Sequence, residues 1–348
     1  MNLAELGLSQ RTQKIPRPEI WLPPQAPETL SLNEKASEIL LDLSLDITPV
    51  LYEMADRGYG RKSTGKETSG RESEDVVITI DNTAEELAKK SLLKSAKKYN
   101  VSFFVLSEHQ YFMAGHGEPQ LFLTMDPHDN SDEFEKREGD VPGFFVASFW
   151  DRQGNHCGAT QSNLLTKHIF YNRDRGIYEY NPRIRKLEVF PETPIVESIK
   201  DQEFIIITYD GKDKYFRRFN ENLDELNLDR NPLSSLHGKA GAHGACYQTW
   251  NGGVYAIFNE PLSEIPPGLP FALSRDFKPY NIDEFGVMQE YKFDPLYYYQ
   301  TPERYYIDRI GFWVLSPSLP IANEIVEYAS TKKLPGWKEI EKNLVKAA

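Results

Sequence analysis

The sequence predicts a layered α/β protein, on three observations. Residues 33–56 carry apolar side chains at helical spacing. DVVITID, VSFFVLSEH and PQLFLTMDPHDNS contain short apolar runs of strand length. From Gly143 on, apolar segments alternate with tight polar turns, the texture of antiparallel strands. At 348 residues the chain is long for one domain and comfortable for two. Apolar residues are 40% and charged residues 26%, which is globular composition rather than disordered, and no apolar run reaches bilayer length.

Taken in order, residues 1–30 hold five prolines and little periodicity. They read as an extended arm, residues 1–32, packed on the body or on a neighbouring subunit. Ile39, Leu43, Ile47, Leu51 and Met54 mark a helix that Pro49 is expected to kink or split. Residues 57–74 hold five basic residues and four glycines and little to bury. They form either a solvated connector or a lid that brings Arg61, Lys62, Lys66 and Arg71 to an anionic site. DVVITID reads as a strand ending at Asp81. Thr83 and Glu86 read as a capping box opening a helix to about Tyr99. VSFFVLSEH and PQLFLTMDPHDNS read as strands ending at Glu108 and Asp126.

GFFVASFW, HCGATQS, HIFY and IYEY read as hairpin strands joined at DRQGN and DRG. Prolines at 182, 191 and 194 mark a boundary. It divides an N-terminal α+β metal-binding domain, residues 33–190, from a C-terminal α/β substrate domain, residues 191–348. EFIIITYD opens the second unit, and GACYQTWNGGVYAIF reads as helix, glycine turn and strand. RIGFWVLS is a late buried strand, after which Ser316 or Ser318 caps a helix through Tyr328.

The net charge of −12 sets the chain against nucleic acid, and an anionic substrate needs a local lysine, arginine or metal. Tyr291 to Tyr306 reads as core or subunit contact. Together with the proline-rich arm it predicts a homo-oligomer. Cys157 and Cys246 make no disulfide framework and no zinc pattern. They read as buried, reduced thiols, and a cytoplasmic, non-membrane protein is the expectation. The first twenty residues lack an apolar core and do not read as a signal peptide.

The acids carry the chemistry. Asp81 and Glu108 lie at predicted strand ends, and Asp126 and Asp129 flank a Pro-His turn after a third strand. Any one of them alone reads as a surface or capping residue. Converged, they repel one another unless a cation sits among them. Hard oxygen ligands suit Mg²⁺ better than zinc.

These residues carry a resemblance. DVVITID at 75–81, SEH at 107–109 and DPHDNS at 126–131 resemble, in order and spacing, the inositol monophosphatase and fructose-1,6-bisphosphatase superfamily. Its motifs are a D-x-V-T-x-x-D strand, an S/G-E-E strand end and a D-P-I/L-D-G-S/T turn. EFEKREGDVPGFFVASFW and the following hairpin look like the sheet after the turn motif. HGKAGAHGACYQTWNGGVYAIF looks like the R-x-x-G…G-G segment of the monophosphatases. LSEIPPGLPFAL and RIGFWVLSPSLPIANEIVEY look like the late helix and the terminal strand and helix of the bisphosphatases. The likeness covers residues 35 to 330 in fragments.

The resemblance implies an alternating α/β/α/β/α sandwich of the sugar-phosphatase type. It implies hydrolysis of a small sugar or polyol phosphate with two or three Mg²⁺, Mn²⁺ being the alternative ion. Glu108, Asp126, Asp129 and Glu264 match metal-binding acids, and the His128 carbonyl matches the I/L carbonyl that also touches metal. Asp81 matches the aspartate that orients or deprotonates the attacking water. Ser131 matches the residue that meets phosphate and that water. Three departures follow. His109, a candidate metal ligand, stands where the family has a second Glu. Asn130, beside the phosphate, stands for Gly. His237 and Lys239, candidate phosphate or sugar contacts with His243, stand where Arg and Tyr or Ser are usual. Two further readings stay open: a member that has lost turnover and serves in binding or regulation, and a nucleotide-phosphate phosphatase.

Overall fold

The computed structural model describes residues 27–57, 63–66, 76–129, 143–173, 176–191, 206–208, 235–237, 253–258, 261–282, 287–308 and 310–331, with Ile15, Pro18, Ser198 and Ala242. The proline-rich arm therefore lies mostly outside the described residues, as do the GACYQTW helix and Cys246.

Two helices open the fold. α1 (Leu32–Asp56) starts at Ser31, whose hydroxyl accepts from the Glu34 N–H while the Glu34 carboxylate accepts from the Ser31 N–H. Pro49 does not split it: the helix runs unbroken for 25 residues. Pro49 sits on a half-exposed side, while Ile39, Leu43, Ile47, Leu51 and Met54 bury the opposite stripe. The packing of that stripe outweighs one missing helical hydrogen bond. α2 (Thr79–Tyr99) packs beside it.

The sequence reading places Asp81 at a strand end, and the structure corrects this. Strand β2 (Val76–Ile78) is only three residues long and pairs antiparallel with β1 (Ser63–Lys66), so part of the basic 57–74 stretch is strand. The chain turns into helix at Thr79 because Ile80, Ala84, Ala88 and Leu92 recur every fourth residue and are buried together. Thr83 is consequently not a cap. Its hydroxyl donates back to the Thr79 carbonyl at 2.9 Å, inside the helix.

An eight-stranded sheet follows. It comprises β3 (Phe103–Ser107), β4 (Tyr111–Ala114), β5 (Leu121–Asp129), β6 (Phe144–Trp150), β7 (His156–Asn163), β8 (Ile169–Arg173), β9 (Gly176–Asn181) and β10 (Lys186–Val189), in the order β10-β9-β8-β7-β6-β5-β3-β4. Among the described residues of this sheet, only β3 and β5 pair in parallel. Strand β4, not anticipated from sequence, closes a hairpin on β3. One face of the sheet packs on α1 and α2 through Phe103, Val105, Leu123, Met125, Phe145 and Phe149.

A second, six-stranded sheet comprises β11 (Ile206–Thr208), β12 (Ser235–His237), β13 (Val254–Phe258), β14 (Lys278–Ile282), β15 (Met288–Glu290) and β16 (Phe312–Ser316), in the order β12-β11-β13-β16-β14-β15. Short helices α3 (Leu269–Leu273), α4 (Pro295–Gln300) and α5 (Arg304–Ile307) lie in the same half of the chain. One buried cluster joins Phe104, Leu106, Phe122 and Trp150 of the first sheet to Tyr255, Ile257, Trp313 and Leu315 of the second. The tyrosine-rich stretch belongs to it: Tyr305 is fully buried and Tyr298 stacks on Phe293. These rings are core here, each carrying a large apolar area. α6 (Leu319–Thr331), capped by the Ser318 hydroxyl, packs against β16. The result is a layered α/β sandwich.

Candidate metal centre

The centre begins with a register defect. Asp126 pairs with Val146, and Asp129 pairs with Phe144, so three steps along β5 match two along β6. That is a β-bulge, and Pro127, which has no N–H to donate, sits inside it. Without the extra residue, Asp126 and Asp129 would alternate to opposite faces. With it, both share the face of Phe144 and Val146. The sequence reading ends the strand at Asp126, whereas the structure carries it through the bulge to Asp129.

Glu108 arrives from the neighbouring strand. β3 runs parallel to β5 with Ser107 beside Met125, so the next residue, Glu108, is level with Asp126. Glu264 arrives from the second half of the chain, in a short 3-10 turn (Leu262–Glu264). A chain of hydrogen bonds anchors that turn. The Trp150 indole donates to Thr124 Oγ1 at 3.0 Å, the Thr124 and Ser148 hydroxyls meet at 2.9 Å, and Ser148 donates to the Pro266 carbonyl at 2.9 Å.

Asp126, Asp129 and Glu264 are all buried, and an oxygen of each lies within 4.8 Å of the others. Burial pushes the Asp126 carboxyl well above the usual carboxylate range, and the charges of Glu108, Asp129, Glu264 and Asp81 push it further. Asp81 lies in the first turn of α2, where the helix dipole favours a carboxylate. His128, in the bulge, donates its backbone N–H to Asp126 Oδ1 at 3.0 Å, and its ring lies 2.7 Å from Asp81 Oδ1. His109 is close as well, its Nε2 being 3.7 Å from Glu108 Oε2.

This donor set fits a hard divalent cation. Its atoms are carboxylate oxygens, they are buried, and their mutual repulsion is relieved only by protons or positive charge. Zinc sites favour His and Cys, whereas the group's ligand atoms are all carboxylate oxygens.

No protein-family model matches the chain, and no curated protein matches it. Solved structures do. An IMPase/NADP phosphatase complexed with Mg²⁺ and phosphate is 13% identical, with 86% of this chain and 96% of that chain covered at a TM-score of 0.58. An IMPase of Thermotoga maritima is 13% identical, with 81% and 93% covered at 0.56. An inositol monophosphatase family protein of Staphylococcus aureus is 14% identical, with 84% and 93% covered at 0.55. The chain has the inositol monophosphatase fold.

Within that fold, Asp81, Glu108, His109, Asp126, His128, Asp129 and Glu264 come together, and all but His109 contribute a charge or a hydrogen bond at Asp126 or Asp81. Asn130, Ser131, Lys239 and His243 lie outside the described residues. His237 is the last residue of β12, at the far edge of the second sheet. One acid escaped the sequence reading. Glu85 is buried on α2 one turn after Asp81, and Ser107 donates to its Oε2 at 2.6 Å. Burial raises its carboxyl above the ordinary range, against the Ser107 hydrogen bond and the nearby His109. The four-residue spacing from Asp81 is its sequence signal, readable only once the helix is known to start at Thr79.

Proposed function

We propose that this chain is a divalent-metal-dependent phosphatase of a small sugar or polyol phosphate monoester, a divergent member of the inositol monophosphatase and fructose-1,6-bisphosphatase superfamily. The observation that carries the reading is the buried group of Asp126, Asp129 and Glu264, built from both halves of the chain. The neighbours support it: one is complexed with Mg²⁺ and phosphate, another is bound with D-inositol-1-phosphate. Asp126, Asp129, Glu264 and Glu108, with the His128 carbonyl, would hold Mg²⁺, and Mn²⁺ is the alternative ion. The metal supplies charge neutralisation at the phosphate and a more acidic bound water.

The chain's own residues do the rest. Asp81 orients the attacking water and accepts its proton. Ser131 and Asn130 meet the phosphate, and His237 and Lys239 contact phosphate or sugar. The anchored turn keeps Glu264 fixed against Asp126. The test is phosphate release from a panel of sugar, inositol and nucleotide phosphates with and without Mg²⁺, comparing the parent with Asp126→Asn. Metal-dependent release by the parent alone is expected. Mg²⁺ binding without release from any ester would instead assign the chain to binding or regulation, the reading that His109 in place of a second acid favours.

A further inference from the structure

The bulge has a second product. Asp126 and Asp129 are turned to one face, so the residue beside Asp129 is free to reach toward α2, and His128 does. Its Nδ1 lies 2.7 Å from Asp81 Oδ1, and the two side chains are 0% and 4% exposed. A carboxylate oxygen accepts, so Nδ1 is the donor. The same residue's backbone N–H holds Asp126 at 3.0 Å. One residue thus ties the acid of helix α2 to the acid of strand β5.

The ring has a built seat. A Cβ on Gly143 would lie 2.5 Å from His128 Nε2 and 3.1 Å from its Cδ2. Those are forbidden distances to a ring that is buried and hydrogen-bonded, so the first residue before β6 must lack a side chain. The aliphatic residue that the superfamily motif places at position 128 could fill this seat, but it could not bond Asp81.

We propose that the His128 imidazole, seated against Gly143, is a positioning residue for Asp81. Asp81 is close enough to Asp126 for its charge to act on that carboxyl, so the two acids repel each other. A buried carboxylate facing another acid needs a positive charge or a hydrogen bond to hold it in place. The His128 N–H supplies a directional bond that keeps Asp81 aimed at the reacting water. The proposal rests on the phosphatase reading, in which Asp81 acts on that water and not on substrate binding. Losing the bond therefore lowers kcat and leaves KM and Mg²⁺ affinity in place.

The experiment is steady-state phosphate release with Mg²⁺ across the panel of sugar, inositol and nucleotide phosphates, with the variants compared on the ester the parent hydrolyses fastest, and with thermal unfolding and Mg²⁺ calorimetry on each variant. His128→Leu is expected to lower kcat by about tenfold to a hundredfold, the loss of a hydrogen bond to a charged group. His128→Asn puts an amide N–H near the Nδ1 position and is expected to restore kcat to within about threefold of the parent. Gly143→Ala displaces the ring and is expected to lower kcat in the parent but not in the His128→Asn background, where no ring remains to displace. The proposal is overturned if His128→Leu matches the parent, if Asn is as defective as Leu, or if the Gly143→Ala loss is the same in both backgrounds. A parent that releases no phosphate from any ester overturns the phosphatase reading, and this role with it. Parent turnover with unchanged variants overturns the His128 role alone.

Discussion

Asp126 and Glu264 place carboxylate oxygens within 4.8 Å of each other, although one sits in a strand of the first sheet and the other in a turn between β13 and β14 of the second. Held that close without a counter-charge, two carboxylates oppose the fold. Mg²⁺ is therefore expected to raise the melting temperature, by the equivalent of about 2.7 kcal/mol when present at about a hundred times its Kd. Glu264→Gln should abolish most of that rise while leaving the metal-free protein as stable as before or more so. Ser148→Ala breaks the hydrogen-bond chain behind the Glu264 turn and should weaken Mg²⁺ binding about tenfold, the usual effect of losing a supporting partner. Thermal unfolding with and without Mg²⁺ measures both. A full Mg²⁺ shift in Glu264→Gln would remove that residue from the centre.

The Asp126 carboxyl is held well above the usual range, first by burial and then by its acidic neighbours. The sign follows from linkage. The unfolded chain ionises this group at about pH 3.9, so the folded form binds the proton more tightly. The stability this contributes is fully present below about pH 3.9 and is lost as pH rises through the folded value. At neutral pH the metal-free protein carries the resulting penalty, and a cation that replaces the proton removes it. The Mg²⁺-induced gain in melting temperature should thus grow with pH, and Mg²⁺ binding should release protons. Calorimetry in two buffers of different ionisation enthalpy checks the release. A pH-independent Mg²⁺ effect would contradict it.

The uneven legibility of the site has physical causes. The apolar runs of β3, β5 and β6 are continuous and read as strands, so Glu108 falls one residue past the end of β3, while Asp126, expected at the end of β5, lies inside it. Val76, Val77, Ile78 and Ile80 are β-branched and read as strand through Asp81. The four-residue spacing of Ile80, Ala84, Ala88 and Leu92, buried against the sheet and α1, pulls Thr79–Asp81 into helix instead. The bulge is foreshadowed only by Pro127, since a register shift belongs to two strands and no single segment encodes it. Glu264 is invisible to local pattern because its partner acids lie on another sheet. Only the resemblance brings it in. The ring of His128 has no sequence signal, because the resemblance assigns that position by its carbonyl.

The seam between α1 and β7 offers a prediction independent of function. Ser44 Oγ meets Thr160 Oγ1 at 2.7 Å, and Thr48 Oγ1 meets Ser162 Oγ at 2.8 Å, all four side chains being fully buried. The pairing is geometric. Four helical residues rise about 6.0 Å and two strand residues about 6.8 Å, so hydroxyls at those spacings stay in step. Ser44→Ala leaves Thr160 unsatisfied in a dry seam and should cost about 1–3 kcal/mol. Adding Thr160→Val removes the orphan, so the double variant should be less unstable than the two single losses added together. Denaturant unfolding of the four proteins gives the coupling directly, and strict additivity would mean that the pair contributes nothing.

Cys157 is a free thiol, 9% exposed, on β7. Burial, with Asp151 adding to it, pushes the thiol up to about 12. Only the thiolate attacks alkylating reagents. At pH 8 the native protein then holds about one thiolate in ten thousand, against about a quarter in an unfolded chain whose thiol has a pKa of about 8.5. Linkage gives the matching stability term. It is present below about pH 8.5 and lost as pH rises toward the folded value. A Cys246→Ser variant makes Cys157 the sole reporter. Its alkylation at pH 8 should be about a thousandfold slower folded than in denaturant, and opening of the β7 seam should set the residual rate. Ser44→Ala loosens the same seam and should speed that rate in proportion to the stability it loses. Alkylation at the unfolded rate in the native protein would show that the thiol is open to solvent.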